Sequence, residues 1–134
     1  MASILKVDTI TGVATAGSIA VTGEGNSTTT NLQQGLAKAW VNYTTSSSTS
    51  DLDSVNVSSL TDNGTGDTTI TYTNAMNTNN YSSVGTCGEQ QSSAANRIMS
   101  VGTKIAASIR MHAATTSAVD DMQENNVVIH GDLA

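Results

Sequence analysis

The chain has 134 residues with no Phe, one Trp and three Tyr, and it carries a formal charge of −6 with only 12% of its residues charged. That length suits one compact domain with an arm and excludes two full-sized domains. Its basic residues, Lys6, Lys38, Arg97, Lys104 and Arg110, are scattered, which argues against a phosphate backbone and hence against nucleic acid as partner.

With so few large aromatic side chains, Val, Ile, Leu, Ala and Met must form the core. A domain of this size buries roughly two-thirds of its unfolded surface, and here much of that surface is Ser, Thr and Asn, so the stable species is expected to be an oligomer. Disorder is the alternative for such a composition, but disorder favours Pro and charge, and this chain has no Pro. Cys87 is the only cysteine, so no intrachain disulfide is available. The opening MASILKVDTITG holds no apolar run of signal-peptide or membrane-span length. Synthesis in a cytosol and no membrane insertion are therefore expected, with the sequons at Asn26, Asn42, Asn56, Asn63 and Asn80 a by-product of composition.

In chain order, the first apolar run is Ile4 to Ile10, where Leu5 and Val7 share one face and Ile4 the other, so the segment needs partners on both sides. Gly12 and Gly17 bracket a loop, Ile19 to Val21 forms a second run, and Gly23 to Asn26 breaks it. Thr30 or Asn31 then caps a short helix, with Gln34 placed as in a capping box and Leu32, Leu36 and Ala39 on one face. Gly35 limits that helix to a turn or two. The first strand of the main domain spans Ala39 to Thr44, with Trp40 and Asn42 on one face and Val41 and Tyr43 on the other.

Thr45 to Ser50 reads as a polar loop. Two strands follow, Ser54 to Ser59 and Thr68 to Thr73, each with period-two alternation, joined by Asp62-Asn63-Gly64-Thr65-Gly66-Asp67. Asn-Gly accepts positive φ cheaply and Gly66 supplies a second permissive position, so the pair is an antiparallel hairpin. Further strands are expected at Tyr81 to Cys87, Ile98 to Val101, Ile105 to Ala113 and Asn126 to Gly131, with Gly88 to Ser93 a loop and Gly102 a break. Short strands at this spacing predict an all-β fold, an antiparallel β-sandwich over residues 40–134, preceded by an extended arm with a short helical connector over residues 1–39.

Several stretches carry a resemblance: LKVDTI at Leu5 to Ile10, GEGNSTTTNLQQGLAKAWVNY at Gly23 to Tyr43, VNVSS at Val55 to Ser59, TDNGTGD at Thr61 to Asp67, TNAM at Thr73 to Met76, Tyr81, and the closing GDLA. In these the chain resembles the small virion appendage proteins of marine tailed phages, labelled tail fibre or tail fibre-like. The resemblance weakens between Gly88 and Asn125. It implies a homotrimeric structural protein of the virion, made in the host cytoplasm, whose N-terminal segment holds other virion proteins or a neighbouring subunit and whose β-sandwich head faces solvent. No heptads, collagen triplets or β-helix repeats appear, so no shaft is expected. A short fibre, an adaptor and a head-decoration protein all fit this description.

No catalytic constellation emerges, and the sequence reads as that of a non-enzyme without cofactor or metal. His112 and His130 lack an evident third ligand and read as surface or interface histidines. The Asp62 to Asp67 turn has closely spaced oxygens but lacks the later bidentate Glu of a calcium loop. Asp51 and Asp53, and the pair Asp120-Asp121, lack the aromatic groove that a glycosidase carboxylate pair uses. Cys87 reads as a structural thiol, Gly23-Glu24-Gly25 as a turn, and Trp40 as a core or intersubunit plug. Two sets of residues are functional candidates. Ile4, Leu5, Val7 and Ile10 are the expected virion attachment surface, and Asp51, Asp62, Asn63, Asp67 and Glu89, in the segments Thr45 to Asp53, Asp62 to Asp67 and Gly88 to Ser93, are expected in loops that face a receptor such as a host-surface glycan.

Overall fold

A computed structural model describes residues 4–12, 19–22, 29–89 and 96–133, without the side chains of Gln33 and Gln34. The expected loop between Gly12 and Gly17, the turn at Gly23 to Asn26 and the capping side chain of Gln34 lie outside the described residues. The chain divides into two compact units, Met1–Leu36 and Ala37–Ala134.

In the first unit, residues 4–12 form no regular secondary structure, and Ile4, Leu5, Val7 and Ile10 are all exposed, Leu5 at 81%. Two three-residue strands, β1 (Ala20–Thr22) and β2 (Thr29–Asn31), pair antiparallel. A single helical turn, α1 (Leu32–Gly35), follows directly, and the Leu32 amide donates to the Ile19 carbonyl at 2.8 Å. The helix is as short as Gly35 requires.

The second unit is an antiparallel β-sandwich of two four-stranded sheets. One sheet has the order β4-β3-β10-β7, built from β3 (Ala39–Thr44), β4 (Ser50–Val55), β7 (Ser82–Gly88) and β10 (Glu124–His130). The other has the order β5-β6-β9-β8, built from β5 (Val57–Gly64), β6 (Asp67–Tyr72), β8 (Arg97–Ile105) and β9 (Ser108–Thr115). Only the two central strands of each sheet alternate cleanly between buried and exposed, because the edge strands have solvent on a second side.

The core lies between those central strands. Ala39, Val41 and Tyr43 of β3 and Val127 and Ile129 of β10 face Ile70 and Tyr72 of β6 and Ile109 and Met111 of β9, with Met76 and Tyr81 closing one end. Methionine and tyrosine replace the missing Phe: flexible thioethers fill irregular gaps, and buried phenols need hydrogen-bond partners. The Tyr81 hydroxyl donates toward the carbonyls of Ser108 (2.9 Å) and Ile105 (3.2 Å), and its ring meets that of Tyr72 edge-on at 5.9 Å. Burial pushes the Tyr43 phenol up to about 12, so it stays neutral at any physiological pH.

Asn56 is the corner between the sheets. It is the single residue between β4, which belongs to one sheet, and β5, which belongs to the other, and it sits in the left-handed region at φ 59°. Asn tolerates that conformation better than other residues with a Cβ because its short amide can satisfy local backbone groups. Its Nδ2 donates to the carbonyls of Lys38 and Asn74, both at 3.0 Å, and its Oδ1 accepts from the Asn74 amide at 2.7 Å. The expected single strand Ser54 to Ser59 is therefore two strands in different sheets, which part at Asn56.

Other boundaries also differ from expectation. The polar loop ends at Thr49, so Asp51 and Asp53 belong to strand β4 and not to a loop. Gly102 is not a break: β8 runs through it with a register shift between Val101 and Thr103, and the turn to β9 falls at Ala106 and Ala107. Gly88 ends β7, and of the loop expected after it only Glu89 is among the described residues.

The register fixes what gathers at each end. At the hairpin end lie residues 45–49, the turn at Thr65 and Gly66, Glu89, and residues 116–123. The segment after β9 ties these together: Met122 exchanges hydrogen bonds with Thr45, and Asp121 Oδ1 accepts from the Gly66 amide at 2.8 Å. Gly66 has φ +64°, and a Cβ there would lie 2.4 Å from the Ala113 carbonyl oxygen, so only glycine fits.

Candidate functional site

The expected receptor-facing residues all fall in the hairpin-end half of the sandwich, but on strands more than on loops. Asp62 and Asn63 are in β5, Asp67 opens β6, Asp51 is in β4, and Glu89 follows β7. Asp51 and Asp53 both engage Ser54, Asp51 through the Ser54 hydroxyl at 2.6 Å and Asp53 through its amide at 2.9 Å. Asp62 accepts from the Gly64 amide at 2.8 Å, a local turn contact. These acids therefore make local contacts, Asp53 and Asp62 to backbone amides and Asp51 to a hydroxyl, and do not converge on one point.

A compact cluster of polar side chains lies on the outer face of the second sheet. Asp67, Arg110 and His112 alternate outward from β6 and β9, where Asp67 pairs with His112 and Thr69 with Arg110 in the register. The Arg110 guanidinium grips Asp67 with two nitrogens, Nε to Oδ1 at 2.7 Å and Nη2 to Oδ2. His112 Nδ1 lies 3.9 Å from Asp67 Oδ1, and Asn63 Nδ2 donates to Thr69 Oγ1 at 2.8 Å and to Asp67 Oδ1 at 3.4 Å. Gly102 makes room for the imidazole, because a Cβ there would come within 2.3 Å of His112 Nε2. The hydrogen bond from Arg110 holds the Asp67 carboxyl below the usual carboxylate range. That direction is opposite to the one a general acid needs.

The histidines are far apart in the fold. His112 faces outward from the second sheet, whereas His130 ends β10 on the first sheet, opposite Ser82. Among the described residues no group of three or more His, Cys, Asp or Glu could hold a metal ion. Cys87 is half-buried, and burial pushes its thiol up, which disfavours the nucleophilic thiolate. Asp121 clamps the hairpin turn, and Asp120 Oδ2 lies 3.9 Å from Arg97 Nη1. Sequence reasoning noted Asp120-Asp121 only as carboxylates, and it missed Arg110, which has no local signal: its partner is 43 residues away.

Trp40 faces out of the sandwich. It is half-buried on the outer face of the first sheet, between Val55 of β4 and Val128 of β10 in the register, and Val128 in turn pairs with Val84 of β7. One row of apolar side chains thus crosses all the strands of that sheet on its solvent side. No helix among the described residues is long and apolar enough to cross a membrane. No family model, curated protein or solved structure matches the chain.

Proposed function

We propose that the chain is a structural component of a bacteriophage virion, a short tail-fibre or fibre-like appendage that acts by association with copies of itself and with other virion proteins. The observation that carries this reading is the distribution of apolar side chains. Among the described residues, Ile4, Leu5, Val7, Ile10, Leu52, Val55, Val84, Ile98, Ile105 and Val128 are exposed, whereas much of the core is made of Ala, Met and Tyr. A chain with its branched aliphatic residues largely outside is suited to being covered by protein. The sequence motifs at Leu5 to Ile10, Gly23 to Tyr43 and Thr61 to Asp67 supply the lineage. Peptide mass spectrometry of density-banded particles from cultures carrying the gene tests it: the chain is expected in the particle fraction, and its confinement to the soluble lysate counts against the reading.

A second reading, a carbohydrate- or receptor-binding module, draws on the polar cluster of Asn63, Asp67, Arg110 and His112 beside the hairpin end. Its donors and acceptors suit sugar hydroxyls, although no aromatic ring flanks them. Whole-cell adsorption or a glycan array with the assembled protein tests this, and adsorption unaffected by Arg110→Ala removes the cluster from consideration.

A further inference from the structure

Asn63-Gly64 is the only Asn-Gly pair in the chain. In such a pair the glycine amide nitrogen can close on the asparagine side chain, because the glycine has no Cβ to crowd the approach and accepts the backbone rotations that bring the two groups together. The hairpin leaves room for that reaction. Asn63 and Gly64 are both exposed, nothing lies within 4 Å of where a Gly64 Cβ would stand, and Gly64 has φ +132°. Asn63 also lies at a register shift in the hairpin: Asp62 pairs with Thr68 and Gly64 with Asp67, and the ladder passes over the residue between them.

Both reacting groups are nevertheless held. The Gly64 amide donates to Asp62 Oδ1 at 2.8 Å, and an amide bonded to a carboxylate gives up its proton less readily, because the anion it would leave faces a negative charge. The Asn63 carboxamide is drawn across the hairpin to β6, where its Nδ2 donates to Thr69 Oγ1 at 2.8 Å and to Asp67 Oδ1 at 3.4 Å. We infer that Asn63 is a site of spontaneous deamidation that the folded hairpin holds in check through Asp62 and Thr69, so that modification requires local opening of the hairpin end.

The reaction needs no reagent but water. The Gly64 nitrogen, having lost its proton to solvent, attacks Asn63 Cγ; the new Cγ–N bond closes a succinimide ring, the Cγ–Nδ2 bond breaks, and ammonia leaves with a proton taken from solvent. Water then adds to either imide carbonyl and opens the ring, giving aspartate or isoaspartate, the latter with an extra carbon in the main chain. Either product replaces a donor to Asp67 by a carboxylate, so that like charges meet where Arg110 holds Asp67. Isoaspartate also lengthens β5 directly before the Gly64–Asp67 pair. Modification therefore weakens the hairpin end that restrains it.

The test is peptide mass mapping of the full chain after incubation in heavy-oxygen water at neutral pH, folded and, in parallel, unfolded in guanidinium chloride. Heavy oxygen at position 63 marks the reaction, and it is expected to accumulate at least about fivefold more slowly in the folded chain than in the unfolded one. Asp62→Ala and Thr69→Val are each expected to speed the folded chain by at least about twofold and to leave the unfolded rate unchanged. Both should keep the circular dichroism of wild type, since neither side chain belongs to the core. Asp62→Ser keeps a weaker acceptor for the Gly64 amide, and its folded rate should fall between those of wild type and Asp62→Ala. The deamidated chain carries one negative charge more than the −6 of the intact one, so anion exchange separates the two, and the deamidated form should melt at the lower temperature. Absence of label at Asn63 in the unfolded chain overturns the site. A folded rate equal to or above the unfolded one, or folded variants that react no faster than wild type, overturns the restraint, and identical melts of the two separated forms overturn the consequence for the hairpin.

Discussion

Replacing Asn56 by Ala removes two separable things from the corner between the sheets. The first is tolerance of the left-handed backbone at φ 59°, which costs Ala about 1 kcal/mol. The second is the amide itself, whose bonds to Lys38 and Asn74 tie the start of β3 to the segment after β6. Only the bond to the Lys38 carbonyl is partly shielded from water, and such a bond contributes about 1 kcal/mol, with less from the exposed ones. Asn56→Ala is therefore expected to cost about 2–3 kcal/mol. Asn56→Gly keeps the backbone freedom and loses the bonds, so it is expected to cost about 1 kcal/mol less than Ala. The assay is urea unfolding at one low, fixed protein concentration, where the shared m-value shows that only stability has changed. An Ala variant within about 0.5 kcal/mol of wild type, or a Gly variant less stable than Ala, would refute the account of the corner.

Gly66→Ala combines a left-handed strain with a Cβ driven onto the Ala113 carbonyl and the Asp120 backbone, so thermal melts should show a loss of about 2–5 kcal/mol, or no folded protein. Asp67 binds its proton less tightly in the folded chain than in the unfolded one, so its contribution is fully present above the ordinary Asp value of roughly 3.9 and fades as pH falls through its lowered folded value. The melting-temperature gap between wild type and Asp67→Asn should then close as the solution is made more acid than about pH 4. Leu5→Asp with Val7→Asp should leave the sandwich folded by circular dichroism, since both side chains are exposed, but should remove the chain from purified particles, and normal incorporation would show that this segment is not the anchor.

The local pattern carried much of the fold into the sequence. Trp40 and Asn42 against Val41 and Tyr43 announced a one-sided strand, Gly64 and Gly66 announced the turn, and Gly35 announced a truncated helix. The corner at Asn56 was not legible, because Val55 and Val57 keep the alternation going straight through it. Nor was the β8–β9 turn, where Ala106 and Ala107 give no Gly, Pro or Asn signal while Gly102, a bulge within the strand, gives a false one. Placement of β10 between β3 and β7 is a non-local pairing to which no local signal points. The candidate site was legible only in part for the same reason. Asp62, Asn63 and Asp67 stood out as turn residues, but Arg110 and His112 join them only through the register of β6 with β9.

The central claim is that this chain is built into a particle and is not free in the cell. Electron cryomicroscopy of intact particles decorated with an antibody fragment raised against the exposed Thr61–Thr65 strand end and turn tests it most directly. The account predicts label at fixed, repeated positions on the particle surface. Bare particles, with all of the antigen recovered from the particle-free lysate, would contradict it.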